Sequence, residues 1–153
     1  MSAPEAAQAA GITYRQLDYW ARSGWITPRS LEKAGAGRVV RRYGVADVVR
    51  LQAFAHLGRA GVDLRQVAPE VSRVQLAAGR LLVFGPLDLR GADPALQLIA
   101  EADVQAVVSR PGRWVVYDPG ALFARLSQSA PDTHEGDHRE ALTADTEEEA
   151  RTA

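Results

Sequence analysis

The sequence predicts an α+β fold, and three observations indicate it. Two helical patterns, each with an N-terminal cap and a glycine stop, occupy residues 2–24. Residues 35–43 combine glycine and arginine without helical periodicity, as a β-hairpin would. Beyond residue 79, short apolar runs alternate with turns that contain proline and glycine, which is typical of a small α/β unit.

Charge is distributed unevenly along the 153 residues, although the net charge is only −1. Residues 1–75 contain 11 Lys and Arg against 6 Asp and Glu, whereas residues 128–153 contain 2 against 8. This asymmetry suggests a basic binding module with an acidic tail. We therefore divide the chain into a helical domain with a basic hairpin (1–78), a small α/β unit (79–127) and a disordered acidic tail (128–153).

The composition narrows the class of protein. A hydrophobic share of 46% and a charged share of 24% are those of a soluble globular protein. Neither a secretory signal nor an apolar run long enough to cross a bilayer is present, so we expect a cytoplasmic protein without membrane contact. The sequence contains no cysteine, which excludes disulfides and thiolate metal sites.

The first helix is predicted from its ends. Ser2 caps it, and Glu5 completes a capping box three residues later. Pro4 lies in the first turn, where its missing N–H costs little. Gly11 then ends the helix in a left-handed conformation.

The second helix begins after Thr13, which forms another capping box with Gln16, and it closes at Gly24. One stripe is apolar at helical spacing and should be buried: Leu17, Trp20 and Ala21. The remaining surface is polar and aromatic: Tyr14, Arg15, Asp18, Tyr19 and Arg22. Two helices joined by a glycine-containing turn form a helix-turn-helix unit.

Proline and glycine divide the rest of the chain into short elements. Up to residue 78 we first expect a two-stranded wing, with strands near residues 25–27 and 39–43, and then a long helix from Gly44 to Gly61 with Asp47 in its first turn. Another helix should begin at Asp63 and end or kink at Ala68. A fresh helical start is expected at Pro69, with a stop near Ala78. After residue 79 we expect strands at 81–84 and 87–89, joined by a turn at Gly85-Pro86, and then a helix at 95–102. Residues 104–108 fit either a helix or a strand. A strand at 114–117 and a helix that begins at Asp118-Pro119 should follow.

Residues 6–68 resemble the winged helix-turn-helix domain of the MerR family of bacterial transcription regulators. The resemblance depends on order and spacing: Gly11-Ile12-Thr13, Leu17-Asp18-Tyr19-Trp20, Gly24-Trp25, Arg41-Arg42-Tyr43, Asp47-Val48 and Gly61-Val62. The amino-acid sequence of residues 11–22 is similar to that of an actinobacterial branch of the family. The resemblance implies a protein that regulates transcription by binding specific double-stranded DNA.

The same resemblance implies which residues face the DNA. The helix from Tyr14 would enter the major groove, and the wing would hold the flanking backbone. Guanidinium groups suit phosphate oxygens, and the helix N-terminus adds backbone donors. The expected DNA-binding residues are Thr13, Tyr14, Arg15, Asp18, Tyr19, Arg22, Arg38, Arg41, Arg42 and Tyr43.

Two residues depart from the family pattern. The family commonly has a basic residue where this chain has Asp18, and an acid is unfavourable near phosphates. Asp18 either accepts a hydrogen bond from a cytosine amine or orients Arg15 or Arg22. Gly44 stands where a Ser or Thr cap is usual, which glycine tolerates at little cost.

The larger departure concerns assembly. MerR regulators dimerise through a long coiled coil, but only about ten residues of helix follow Pro69 here, which is too few. We expect a homodimer or a side-by-side array on DNA. Residues 79–127 would dimerise or hold a partner protein.

Other chemistry has little support. His134 and His138 have helical ligand spacing, but they lie in the acidic tail without a third ligand. His56 is expected to be a packing or a surface histidine and not a ligand. No nucleophile, base and acid are arranged for catalysis. We expect no metal, no cofactor and no enzymatic activity.

Two alternatives to the regulator remain. An excisionase-like architectural protein would use the same fold to bend DNA during recombination. A protein-interaction adaptor would use its basic face to bind an acidic partner. The acidic tail is further expected to compete with DNA for that face.

Overall fold

The computed structural model describes residues 1–34 and 38–128 and confirms the α+β class. The helices are α1 (Ala3–Ala10), α2 (Tyr14–Arg22), α3 (Val45–Arg59), α4 (Leu64–Arg73), α5 (Val104–Val108) and α6 (Gly120–Gln128). The strands are β1 (Ser30–Ala34), β2 (Arg38–Arg42), β3 (Arg80–Leu87), β4 (Ala95–Ala100) and β5 (Arg113–Tyr117). Within these ranges, the helices are too short or too polar to cross a membrane.

Both capping boxes predicted for α1 and α2 are confirmed. The Ser2 N–H donates to Glu5 Oε2 at 2.7 Å, and Gly11 follows α1 with a φ of 68°. Thr13 Oγ1 accepts from the Gln16 N–H at 3.2 Å, while Gln16 Oε1 accepts from the Thr13 N–H at 2.9 Å. These bonds fix where α2 begins, and therefore which of its residues lie on its exposed side.

The hydrophobic core is built around α3. Its buried residues lie on most of its circumference: Val48, Val49, Leu51, Ala53, Phe54, Ala55 and Leu57. The helix α2 packs on it through Trp20, whose ring centroid is 5.6 Å from that of Phe54. Four other elements also contact α3: α1, α4, α6 and β5. An apolar stripe on one side of α3 would not be sufficient to bury all of these contacts.

The wing is an antiparallel pair of β1 and β2, but its first strand lies later in the sequence than predicted. Pairing begins at Ser30, so the strand expected at residues 25–27 is wrong. Ile26 is buried in the core instead, and Pro28 lacks the N–H that a strand ladder requires. Hydrogen bonding to β2 therefore starts only beyond the proline.

The helix α4 runs through Pro69, so the predicted end at Ala68 and the fresh start at Pro69 are wrong. A kink at this position stays a prediction. The helix also stops at Arg73, short of Ala78. An interior proline removes one intrahelical hydrogen bond. Burial of Val67, Ala68 and Val71 against the core offsets that loss.

The second sheet has the order β4-β3-β5, with both pairs antiparallel. Its edge strand β4 occupies most of residues 95–102, for which a helix was predicted, so that prediction is wrong. Leu96 and Leu98 pack on the main core, whereas Ile99 packs on the opposite side of the sheet. This alternation of period two is what pairing with β3 requires.

Gly85 and Pro86 lie inside β3 and do not form the predicted turn. They are joined by a cis peptide bond, and Gly85 has a φ of 155°. A Cβ at this position would lie 2.8 Å from Trp114 Cε3 and 2.9 Å from the Arg113 carbonyl oxygen. Only glycine allows β5 to approach β3 this closely. The strand expected at 87–89 is reduced to Leu87, the last residue of β3.

The last predictions for this region are settled by the structure. The ambiguous segment at 104–108 is the helix α5, which follows a 3₁₀ turn at Glu101–Asp103. The strand predicted at 114–117 is confirmed as β5, and α6 follows Pro119 as expected.

The second sheet packs directly on the helical part of the chain. One side joins the core around α3: Leu82, Phe84, Val115 and Tyr117. The other side is covered by α5 and forms a smaller cluster around Leu81, Val83 and Val107. The Tyr117 hydroxyl bonds to α3, at 3.2 Å from the Val49 carbonyl oxygen and 3.0 Å from Gln52 Oε1. Residues 79–127 thus share a core with residues 1–78; their separate role stays a prediction.

Three predicted features lie outside the described residues. They are the glycine turn of the wing at residues 35–37, the His134 and His138 pair, and the acidic tail apart from Gln128, which is the last residue of α6.

Candidate nucleic-acid interface

The helix α2 separates a buried side from an exposed one. Leu17 and Trp20 are 0% and 4% exposed and hold the helix on the core. Tyr14 and Tyr19 are 56% and 48% exposed, although both are large aromatic side chains. Tyr19 keeps its orientation through an edge contact with Trp25, with ring centroids 5.7 Å apart. Exposed aromatic groups on a firmly packed helix are typical of a binding surface.

Arg15 lies on the same exposed side of α2. Its guanidinium forms no ion pair or hydrogen bond with the part of the chain that the structure describes. Thr13 is also exposed, but its hydroxyl is used in the cap. Arg15 is therefore a cation at the first turn of α2 whose five donors remain available to a ligand.

Asp18 lies between two arginines. Its Oδ2 is 2.5 Å from Arg22 Nη2, one helical turn further along α2. Its Oδ1 accepts from Arg41 Nη1 of β2 at 3.0 Å. The carboxylate is 21% exposed, so it lies at the base of the surface and not on top of it. Of the roles left open by the sequence, the orientation of Arg22 is the one that this geometry supports.

The register of the wing separates the two arginines that end β2. Leu31 is paired with Arg41 and Lys33 with Val39, so these four residues share one face. Arg42 belongs to the other face, where its Nε is 2.7 Å from Glu32 Oε2.

Arg41 and Arg42 therefore lie on opposite faces of the wing. Their contact with DNA stays a prediction. The side chain of Arg38, the first residue of β2, lies outside the described part.

Tyr43 does not belong to the exposed surface. Its side chain is 1% exposed, and burial raises the pKa of its hydroxyl above the ordinary value. Its backbone instead pairs with the N-terminal residue: the Tyr43 N–H donates to the Met1 carbonyl oxygen at 2.8 Å. We therefore leave Tyr43 out of the proposed contact surface and assign it to the core.

A groove of about 600 Å³ separates α2 from the wing. Tyr14 and Asp18 line one side, and Leu31, Val39 and Arg41 line the other; residues 2–4 close one end. Leu31 and Val39 are 64% and 54% exposed, and the sequence analysis did not select them. If β1 had been placed after Pro28, the pairing with β2 would have put Leu31 and Val39 on the same face as Arg41.

His56 packs as expected, with its ring centroid 5.6 Å from that of Tyr117. Within residues 1–34 and 38–128, no three His, Asp or Glu side chains are grouped closely enough to hold a metal ion.

Comparison with known proteins agrees with this geometry. Residues 1–72 match the family described as "MerR HTH family regulatory protein". Residues 1–72 form a MerR-type helix-turn-helix domain. The match covers both capped helices, the wing, α3 and nearly all of α4. It confirms the resemblance seen in the sequence.

Curated relatives are similar to about half of the chain. Three proteins, from Mycobacterium bovis and two strains of Mycobacterium tuberculosis, are each named "Uncharacterized HTH-type transcriptional regulator". Each is 39% identical over 72 residues, which are 47% of this chain and 32% of the relative. The chain thus spans about a third of the length of the curated relatives it matches. The family match ends at residue 72, before the second sheet begins.

Proposed function

We propose that this chain is a transcription regulator that binds specific double-stranded DNA through its MerR-type domain. The observation that carries the proposal is the exposed side of α2, which combines Arg15, Tyr14, Tyr19 and Arg22 on a helix fixed by a cap and a buried tryptophan. A helix of this kind fits the major groove and offers both guanidinium and aromatic groups to base edges and phosphates. The regulatory name of the matched family supports binding over catalysis.

Individual roles follow from the surroundings of each residue. Arg15 projects from the first turn without a partner in the described chain, so we assign it to base edges. We assign Tyr14 and Tyr19, which are both exposed, to sugar or phosphate groups. Arg22 lies at the end of α2 and is 73% exposed, which suits a backbone phosphate.

The assembly on DNA is part of the proposal. The helix α4 has ten residues, which is too short for the coiled coil by which MerR regulators dimerise. We propose a homodimer or a side-by-side array, with the region 79–127 as the contact between copies or the site for a partner protein. Such a protein would be found at the nucleoid.

Selection of DNA from a random library with the full chain tests the proposal. Enrichment of one sequence motif, with tight binding at moderate salt, is the expected outcome. Fluorescence anisotropy on the enriched motif and on mixed genomic fragments then measures specific and non-specific affinity. Absence of binding to both DNAs at low salt would favour the adaptor. A motif found at recombination sites and not at promoters would favour the architectural protein.

A further inference from the structure

The ion pair between Asp18 and Arg41 crosses the groove between α2 and the wing. The two residues are 23 positions apart in sequence and belong to different elements. Among the described residues, it is the polar contact by which α2 reaches β1 or β2. The backbone of β2 is also joined to the N-terminus, through the bridge between Ser2 and Arg42 and the bonds between Met1 and Tyr43. The Asp18–Arg41 pair adds a direct link between the wing and α2 itself.

The two arginines bound to Asp18 have different environments. The Arg41 side chain is 36% exposed and the Arg22 side chain 73% exposed. Water and salt screen the exposed pair more strongly than the half-buried one. A phosphate that approaches this surface can therefore take Arg22 from Asp18 more easily than it can take Arg41.

From this asymmetry we propose that Asp18 is a positioning residue for DNA recognition. It holds Arg41, and with it the wing, at a fixed distance from α2, and it presents Arg22 to the DNA backbone. Asp18 then increases sequence discrimination although it is an acid beside a phosphate-binding surface. The proposal rests on the proposed DNA-binding function, and it assigns to Arg41 a structural role in place of a phosphate contact.

The test uses the full chain with Asp18→Asn, Arg41→Gln and the double variant. Asparagine has nearly the same shape as aspartate, so the variant keeps the packing of Leu17 and Trp20. The matched control is Glu32→Gln, which breaks the other carboxylate–arginine pair of the wing without touching α2. Two quantities are measured: the ratio of specific to non-specific affinity, and amide hydrogen exchange of β1 and β2 without DNA.

We expect Asp18→Asn to lower the affinity ratio by about tenfold, the scale of coupling between residues in contact. Non-specific affinity should stay equal or rise, because one negative charge is removed. Exchange in the wing should accelerate equally in both single variants and no further in the double variant. Glu32→Gln should leave the affinity ratio unchanged.

Two results would overturn the proposal. If Asp18→Asn tightens binding to both DNAs equally, Asp18 only repels phosphates. If exchange in the wing is unaffected by either single variant, Asp18 does not hold the wing. Failure of the DNA-binding function itself is recognised separately, because the unmodified chain would then show no preferred DNA while the exchange experiment still reports on the ion pair.

Discussion

Arg15 and Asp18 are three residues apart on α2, and their different surroundings give them different roles. The Arg15 guanidinium finds no ion-pair partner in the described chain, whereas Asp18 is held between Arg22 and Arg41. Chemical type alone would suggest that one attracts DNA and the other repels it. Because Asp18 already has two cations beside it, its charge is largely neutralised where phosphates would approach.

The first prediction at the residue scale concerns Arg15. We expect Arg15→Ala to weaken binding to the enriched motif by about 1–3 kcal/mol, the loss typical of a guanidinium that contacts a base edge. Binding to mixed DNA should change much less. Anisotropy titrations on both DNAs give the two values. Arg110→Ala, an exposed arginine in the turn before β5, is the control; equal losses on both DNAs for Arg15→Ala would refute base contact.

The second prediction concerns Tyr117, whose hydroxyl bonds to Val49 and Gln52. Phenylalanine removes the hydroxyl and its hydrogen bonds, so Tyr117→Phe should lower the free energy of unfolding by about 1–2 kcal/mol at neutral pH. Denaturant titration measures the change. Tyr19→Phe, which removes an exposed hydroxyl, should leave the stability unchanged.

Tyr117 also affects stability in alkaline solution. Burial raises the pKa of its hydroxyl above the ordinary value, so the folded chain keeps it protonated where the unfolded chain ionises it. The stabilisation is therefore complete below a pH of about 10 and is lost as the pH rises further. Tyr117→Phe should show a shallower alkaline loss than the unmodified chain. Identical slopes would contradict the role of the buried hydroxyl.

At the scale of elements, α4 and β4 show where local signals are overruled. Pro69 indicated an end or a kink, and Asp93-Pro94 indicated a helix start. In α4 the burial of Val67, Ala68 and Val71 keeps the helix continuous. In β4 the pairing with β3 directs Leu96 and Leu98 to one side of the sheet and Ile99 to the other. Neither effect can be read from a local window, because the partner segments lie elsewhere in the chain.

The prediction at this scale is that Pro69→Ala stabilises the chain by about 2 kcal/mol. Alanine restores the missing N–H in the interior of α4, and this gain exceeds the added entropy of the unfolded state. The midpoint and slope of denaturant unfolding measure it. Pro4→Ala is the matched control, since Pro4 lies in the first turn of α1, where no hydrogen bond is lost. A lower stability for Pro69→Ala would refute this explanation.

At the scale of the whole molecule, the MerR-type domain and the second sheet share one core around α3. Leu82, Phe84 and Tyr117 belong to the same buried cluster as the core residues of α3, and the Tyr117 hydroxyl bonds to α3 directly. The region beyond the family match therefore shares the core on which the proposed DNA-binding surface is built. If the proposal holds, we expect a change in that region to alter DNA binding through this core without contacting DNA.

The acidic tail gives a prediction at the same scale. Residues 129–153 contain 2 arginines against 8 acids, opposite in sign to the basic first half. We expect deletion of this segment to tighten DNA binding at about 0.05 M salt and to have no effect near about 0.5 M, where charges are screened within a few ångströms. A full-length variant with the eight acids changed to Asn or Gln separates charge from length. Unchanged affinity in both variants at low salt would refute competition by the tail.

The sequence by itself determined the two capped helices, the wing and the side of α2 that faces outward. Caps, glycine stops and the spacing of Leu17 and Trp20 are local, and local hydrogen bonds and periodicity are sufficient to establish them. Only the tertiary structure decided the start of β1, the continuity of α4, the strand β4 and the burial of Tyr43. It also decided that Asp18 bridges α2 and the wing, since an ion pair between distant segments depends on how the whole chain folds.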